Sequence, residues 1–363
     1  MLIDSELKQH LLNQMSSSPS FSPLTNEEKR LIQRIREETR YHNVNNINRT
    51  EAYLTFYLKH PEIHWSLLAH LVSRNAGWNM TDLQGEFLPS LLKDKERTSF
   101  FSFLERGNWL IFHDAFPQLL LYEQSKKQKK NLFHLLPHFH VSSFMEVMWN
   151  DFWTHHNHKR LTIALIVNEQ NFIEKRLVHH VSSITSSLPF KMYDFLSFNH
   201  ILFPYTITNG RPRLVGTTVQ MFHSLLKRIE LGKRLYLILR NDPSRMEQIV
   251  SWARTHPHTG SRADYWPDVF HPIKLEIKDY TFQEKIQGCQ LKKGALPIYS
   301  PPLQTVWSNT THTLEDLSDW FKSLSVLSYF SFDETPSASI QKDYCETLHT
   351  IQFAVKAKKW ILP

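Results

Sequence analysis

At three places in this chain where an apolar helical pattern could open, a hydroxyl residue is followed, three positions on, by a glutamate or glutamine: Thr25 with Glu28, Thr81 with Gln84 and Ser143 with Glu146. Such a pair can close a capping box, in which two side chains satisfy the first free backbone N–H groups and fix where a helix begins. The Thr25 box opens a helix to about Arg40. Thr50 caps a shorter one that stops before Pro61, and residues 62–75 read as helix ended by Gly77. Helical stretches follow at 95–116 and 117–127, divided at Pro117. After Ser143 a long helical region breaks around 154–158 and resumes to about 181. Asp242 before Pro243 is an N-cap ahead of a first-turn proline and starts a helix toward Thr255; Thr313 and Thr335 with Pro336 repeat that logic.

These signals predict a mainly α protein, a multi-helix globular bundle with room for a short β-hairpin in the C-terminal half. Residues 217–231 read as helix stopped by Gly232, 234–239 fit helix or strand equally, and the proline-rich 260–302 reads as loops. Glycine is scarce, 9 of 363 residues, which argues against glycine-dense phosphate loops. No repeat is visible. The hydroxyl-rich stretch 182–189 is the best boundary, so the chain divides into a flexible lead-in (1–24), an N-terminal helical half (25–181) and a C-terminal helical and loop-rich half (190–363) packed on it.

Lysine and arginine number 42 against 35 acidic residues. The basic runs are short, so nucleic-acid binding through a mildly basic surface is not excluded but has no dedicated motif. Two cysteines, Cys289 and Cys345, cannot make a disulfide framework and fit a reducing compartment. The N-terminus has no leader-like apolar run, and the longest uncharged stretch, 295–314, carries Pro297, Pro301 and Pro302, so no membrane insertion is expected. The expected location is the cytoplasm.

The standard dinucleotide, NTPase, esterase, zinc-protease and calcium-loop motifs are absent. Histidine is frequent, at 21, but its clusters bring no carboxylate or thiolate at ligand spacing, so neither a metal nor a cofactor is predicted. His113-Asp114 has the form of the His-Asp pair of helical metal phosphohydrolases. It occurs about as often as chance allows, and Asp114 reads as the cap of a helix starting at Pro117.

More telling are polar residues on apolar faces. Along 62–75, His64 and Asn75 project into the face made by Ile63, Leu67, Leu68, Leu71 and Val72. Along 161–178, Glu169 falls among Leu165, Ile166, Phe172 and Ile173. A buried carboxylate needs a partner, and Arg49, Arg74, Arg176 and Arg262 are the expected ones. In the loop 258–267, Gly260 allows a turn, Ser261 and Arg262 form a candidate anion clamp, and Asp264 is an alternative partner for the arginine. Tyr265 and Trp266 predict that this loop docks near Arg74 and Asn75. The candidate ligand-binding set is Arg49, His64, Arg74, Asn75, Asp82, Glu169, Ser261, Arg262 and Asp264.

The runs NRTEAYLTFY (48–57), HPEIHW (60–65), VSRNAGWNMTDL (72–83), GNWLIF (107–112) and ALIVNEQNFIE (164–174), with 258–267 and 299–302, resemble an uncharacterised family of Bacillus-type bacteria, the YppC-like domain of unknown function. The resemblance spans roughly residues 43 to 307. It implies a bacterial cytoplasmic origin and one mostly helical unit, and carries no activity. Beside it stand three functional expectations: a binding or scaffold protein with a buried polar cluster, an enzyme acting on a phosphorylated or anionic small molecule, and a nucleic-acid binder. Convergence of His64, Asn75, Glu169 and Arg262 in one pocket would favour the enzyme.

Overall fold

The computed structural model describes residues 3–16, 23–178, 200–208, 211–219, 224–275, 284–331 and 340–361. Within the expected lead-in, α1 (Ser5–Ser16) is a helix that buries Leu7 and Leu11 and lies along the later helix Ser143–His155. Leucines four apart share a helical face, and that face found a partner. The Thr25–Glu28 capping box forms as read and opens α2 (Asn26–His42). α3 (Asn46–Lys59) starts a turn before Thr50, capped by Asn45. Thr50 instead sits inside α3 with its hydroxyl 2.6 Å from that of Ser73.

α4 (His64–Asp82) runs straight through Gly77 and Thr81, correcting both the stop and the second capping box. Thr81 donates its hydroxyl to the carbonyls of Trp78 and Gly260. Gly77 is there for closeness: a Cβ would lie 2.5 Å from Asn46 Oδ1 and 2.6 Å from His258 Nε2. After the short α5 (Leu88–Leu91), α6 (Asp94–Gln128) is one helix of 35 residues with Pro117 inside it. Burial of Phe112, Phe116, Leu119 and Leu120 on both sides outweighs the lost backbone bond. Asp114 is therefore no cap; it is a mid-helix carboxyl, 1% exposed.

α7 (Ser143–His155) is capped by Ser142, one residue before the expected box. α8 (His158–Ile173) ends in a π-helical turn, Glu174–Val178. The expected hairpin is β1 (His200–Thr208) paired antiparallel with β2 (Arg211–Thr218). It takes up Thr217, so the next helix, α9 (Leu225–Arg240), starts later than read, behind the Ser224 cap, and passes through Gly232. There a Cβ would lie 2.7 Å from Ile166 Cγ2, so the glycine lets α9 seat on α8. α10 (Pro243–Thr255) begins at its Asp242 cap as read.

The stretch 260–302 is mostly loop, with two-residue pairings of β3 (Phe270–His271) with β6 (Ile298–Tyr299) and of β4 (Ile286–Gln287) with β5 (Gln290–Leu291). α11 (Leu303–Val306) follows. No helix starts at Thr313; residues 308–323 form an irregular strap held by Arg176, which donates to the carbonyls of Asp316 and Ser318, and by Asp319, which accepts from Ser143. α12 (Gln341–Ile361) closes the chain. The boundary at 182–189, His179, His180 and Thr335-Pro336 lie outside the described residues. The two cysteines, read as free, are joined: Cys289 in the β4–β5 turn is bonded to Cys345 on α12, with Cα atoms 5.2 Å apart.

The fold is thus mainly α, with only two-stranded sheets among the described residues. Two hydrophobic clusters share it, and each draws on both halves of the sequence. The first runs from Ile3 to Phe330, the second from Trp78 to Val355. Helices α4 and α6 feed both, one end in each. Among the described residues no helix is long and apolar enough to cross a membrane.

Candidate functional site

Where α4, α6 and α8 meet under α9 and the β1 strand, the fold leaves a cavity of about 230 Å³. Its wall is mainly aliphatic: Leu68, Val72 and Ala76 from α4, Leu104 and Ile111 from α6, Ile173 and Leu177 beyond them, and Leu231 and Leu235 from α9. Gly107 and Gly232 widen it at two helix contacts.

Glu169 stands in this wall. The helical face that placed it inward was read correctly, but the arginine partner was not. Its Oε2 accepts from Trp65 Nε1 at 3.1 Å and its Oε1 from Gln170 Nε2 at 3.1 Å. Among the described residues no basic side chain pairs with it. Burial pushes its pKa up to about 8, the two hydrogen bonds oppose this, and the Asp114 carboxyl adds to it.

Each expected arginine is engaged elsewhere. Arg49, 1% exposed, meets Glu105 at 2.5 Å and donates to Asn43. Arg176 holds the strap, as above. Arg74 donates to the carbonyls of His256 and Pro257, approaches Asp264 at 4.0 Å and lies over the Trp252 ring. Arg262 forks onto Asp82, with Nε 3.0 and 2.9 Å from its two oxygens and a terminal nitrogen at 2.6 Å, and donates also to the Tyr344 hydroxyl.

The candidate set thus separates into two places and one outlier. Arg49, Asn75 and Glu169 line the cavity. Arg74, Asp82, Ser261, Arg262 and Asp264 gather where the 258–267 loop docks on α4, as its aromatics required: Tyr265 and Trp266 are buried, both against Trp78. There Ser261 donates to the Ser300 carbonyl and Asp264 accepts from Thr259. These contacts face inward, from residue to residue. His64 stands apart, bonded to the Tyr236 hydroxyl at 3.0 Å and stacked on His158, with a pKa lowered to about 3 by burial. The four residues whose convergence would favour an enzyme therefore do not share a pocket.

Asn75 has a use that sequence could not show. Its side-chain amide accepts from Leu202 N–H at 2.8 Å and donates to the Leu202 carbonyl at 3.1 Å, imitating a strand and pinning β1 to α4.

Behind the half-buried Glu169 lies a fully buried carboxyl whose role the sequence reading missed. Asp114 accepts from Asn168 and Gln118, Gln118 accepts from Trp149, and Asn168 accepts from Trp320 on the strap. Burial pushes Asp114 up to about 7 against these bonds. The signal was available as Asn168 beside Glu169 in an apolar helix. Among the described residues no three His, Cys, Asp or Glu side chains converge to hold a metal ion.

The family described as "Protein of unknown function (DUF2515)" matches residues 41–350. A relative named "Uncharacterized protein YppC", from Bacillus subtilis (strain 168), is 39% identical over 312 residues, covering 85% of this chain and 88% of its own. No solved structure matches.

Proposed function

We propose a binding function for this chain, which belongs to the DUF2515 family of proteins of unknown function: it takes a small, largely apolar molecule into the α4–α6–α8 cavity and orients it by one polar group at Glu169. The observation that carries this reading is the pairing of an aliphatic wall with a single carboxyl that has neutral partners only. Asp114 also has neutral partners only, but it lies outside the cavity wall, whereas Glu169 faces into the cavity. The volume supports a small guest. A dry cavity of about 150 Å³ accepts benzene, and drug-sized ligands need roughly 300–1,000 Å³. At about 230 Å³ the guest has roughly six to ten non-hydrogen atoms.

The test is a titration with a series of n-alkanols, read by the fluorescence of Trp65 and the other tryptophans. Affinity should rise by about 0.8 kcal/mol for each added CH₂ until the cavity is full. Ala69→Phe, which places a ring in the wall, should abolish binding and leave the circular dichroism spectrum unchanged. Saturable binding in neither protein, or equal binding in both, overturns the reading.

A further inference from the structure

The wall of the cavity is unequal in donors and acceptors, and that inequality selects a head group. Its N–H groups are engaged within the protein. Trp65 and Gln170 donate to Glu169; Arg228 donates to Gln170 and Glu174; Asn75 donates to Leu71 and Leu202; Asn108 donates to Leu104. The exceptions among the described residues are Arg49 Nε, on a guanidinium already paired with Glu105, the Tyr53 hydroxyl and the Asn79 amide, so the inequality is centred on Glu169. On the acceptor side, each oxygen of Glu169 accepts one bond and a carboxylate oxygen can take about two. Asn79 Oδ1, also in the wall, is buried and without a partner.

The shape adds a second condition. The lining positions on α4 run from Trp65 to Asn79, a length of about 21 Å at 1.5 Å per residue. A lining that runs so far along one helix forms a slot in which a chain can lie lengthwise. Glu169 stands at its Trp65 end.

We propose that the molecule this slot accepts is a linear primary amine, with its nitrogen on the Glu169 carboxyl and its alkyl chain lying along α4 toward Asn79. An ammonium supplies three donors where the wall offers acceptors, and it brings the positive charge that Glu169 lacks within the fold. A carboxylate head would place a second acid against Glu169 with no cation between them. A hydroxyl would make hydrogen bonds but cannot take up the proton that Glu169 holds without a guest, whereas an amine accepts it and stands beside the carboxylate as an ammonium. The assignment rests on the binding function proposed above and specifies its ligand class.

The test is a matched set, n-octylamine, n-octanol and octanoate, titrated at pH 7 by calorimetry into the wild type and into Glu169→Gln. In the wild type the amine should bind at least tenfold more tightly than the alcohol, and octanoate should show no binding. In Glu169→Gln the amine should fall to the level of the alcohol, while the alcohol stays within about twofold of its wild-type affinity. Binding of the alcohol as tightly as the amine, tightest binding of octanoate, or an amine affinity untouched by Glu169→Gln overturns the assignment and leaves the cavity a binding site of another specificity. If none of the three binds, the binding function falls with it. Ala69→Phe, losing amine and alcohol together, ties both to this cavity.

Discussion

Glu169→Gln should make the protein more stable, and by an amount that depends on pH. The unfolded chain ionises this carboxyl from its ordinary value of 4.5, whereas the fold holds it to about 8. Between those values the native state keeps a proton that the unfolded state has lost. Stability from this group is therefore full below about pH 4.5, falls as pH rises, and levels off above about 8. Each pH step in that window is worth about 1.4 kcal/mol. From 4.5 to 7 the wild type should thus lose on the order of 2–3 kcal/mol that the amide does not lose, the lower figure allowing for solvent that reaches the carboxyl through the cavity. The charged and titratable groups nearest are Tyr53 and Arg49 on α3, Asp114 on α6 and Arg228 on α9. Asp114 titrates in the same direction, so the comparison must be of variant against wild type and not of wild type against itself. Urea unfolding at pH 4.5, 6, 7 and 8.5 measures the gap. It should be small at 4.5 and widen steadily to about pH 8. A gap that is constant across this range, or that narrows as pH rises, would show that Glu169 is ionised in the fold and has a countercharge, and would refute the reasoning.

Arg262→Lys should destabilise the docked loop by about 2–4 kcal/mol, because one ammonium cannot reach both Asp82 oxygens and Tyr344 together; a chemical melt checks it, and unchanged stability would sink the idea. Asn75→Leu should cost about 1–3 kcal/mol by stranding the Leu202 N–H and carbonyl, and amide exchange at Leu202 should quicken. Reduction should lower stability by about 2–4 kcal/mol, since the Cys289–Cys345 bond closes a span of 56 residues. Peptide mapping without reductant should recover the two peptides joined, and two freely alkylated thiols would disprove the pairing.

Helix identity was legible because it depends on local chemistry. The Thr25 box and the Asp242-Pro243 start were readable within a few residues, and each opens the helix it announces. Some starts failed, with Thr50, Thr81 and Thr313 opening no helix, and so did the stops. Gly77, Gly232 and Pro117 all lie inside helices, and in each case the deciding contact comes from far along the chain: His258 against Gly77, Ile166 against Gly232, and the first hydrophobic cluster around the residues on both sides of Pro117. A residue that breaks an isolated helix is tolerated where tertiary burial outweighs its propensity, and no window of neighbours reports that.

The site was half legible for the same reason. Periodicity tells which way a side chain faces, and it turned Glu169 and Asn75 inward. It cannot tell what stands opposite. Four arginines were plausible partners for Glu169, and the fold gives each of them something else: Arg49 has Glu105, Arg74 has two carbonyls, Arg176 has the strap, and Arg262 has Asp82. Those engagements consume the cations that an anion-binding pocket would have needed. They also leave one carboxyl facing an aliphatic slot with tryptophan and glutamine as its partners. The polar cluster expected from the sequence therefore exists as two separate things: an ion-paired, inward-turned junction that ties the 258–267 loop to α4, and an acid with neutral partners in the cavity wall. A junction of the first kind is what holds a structure together. An acid of the second kind lowers stability at neutral pH, and that is the cost a bound cation would offset.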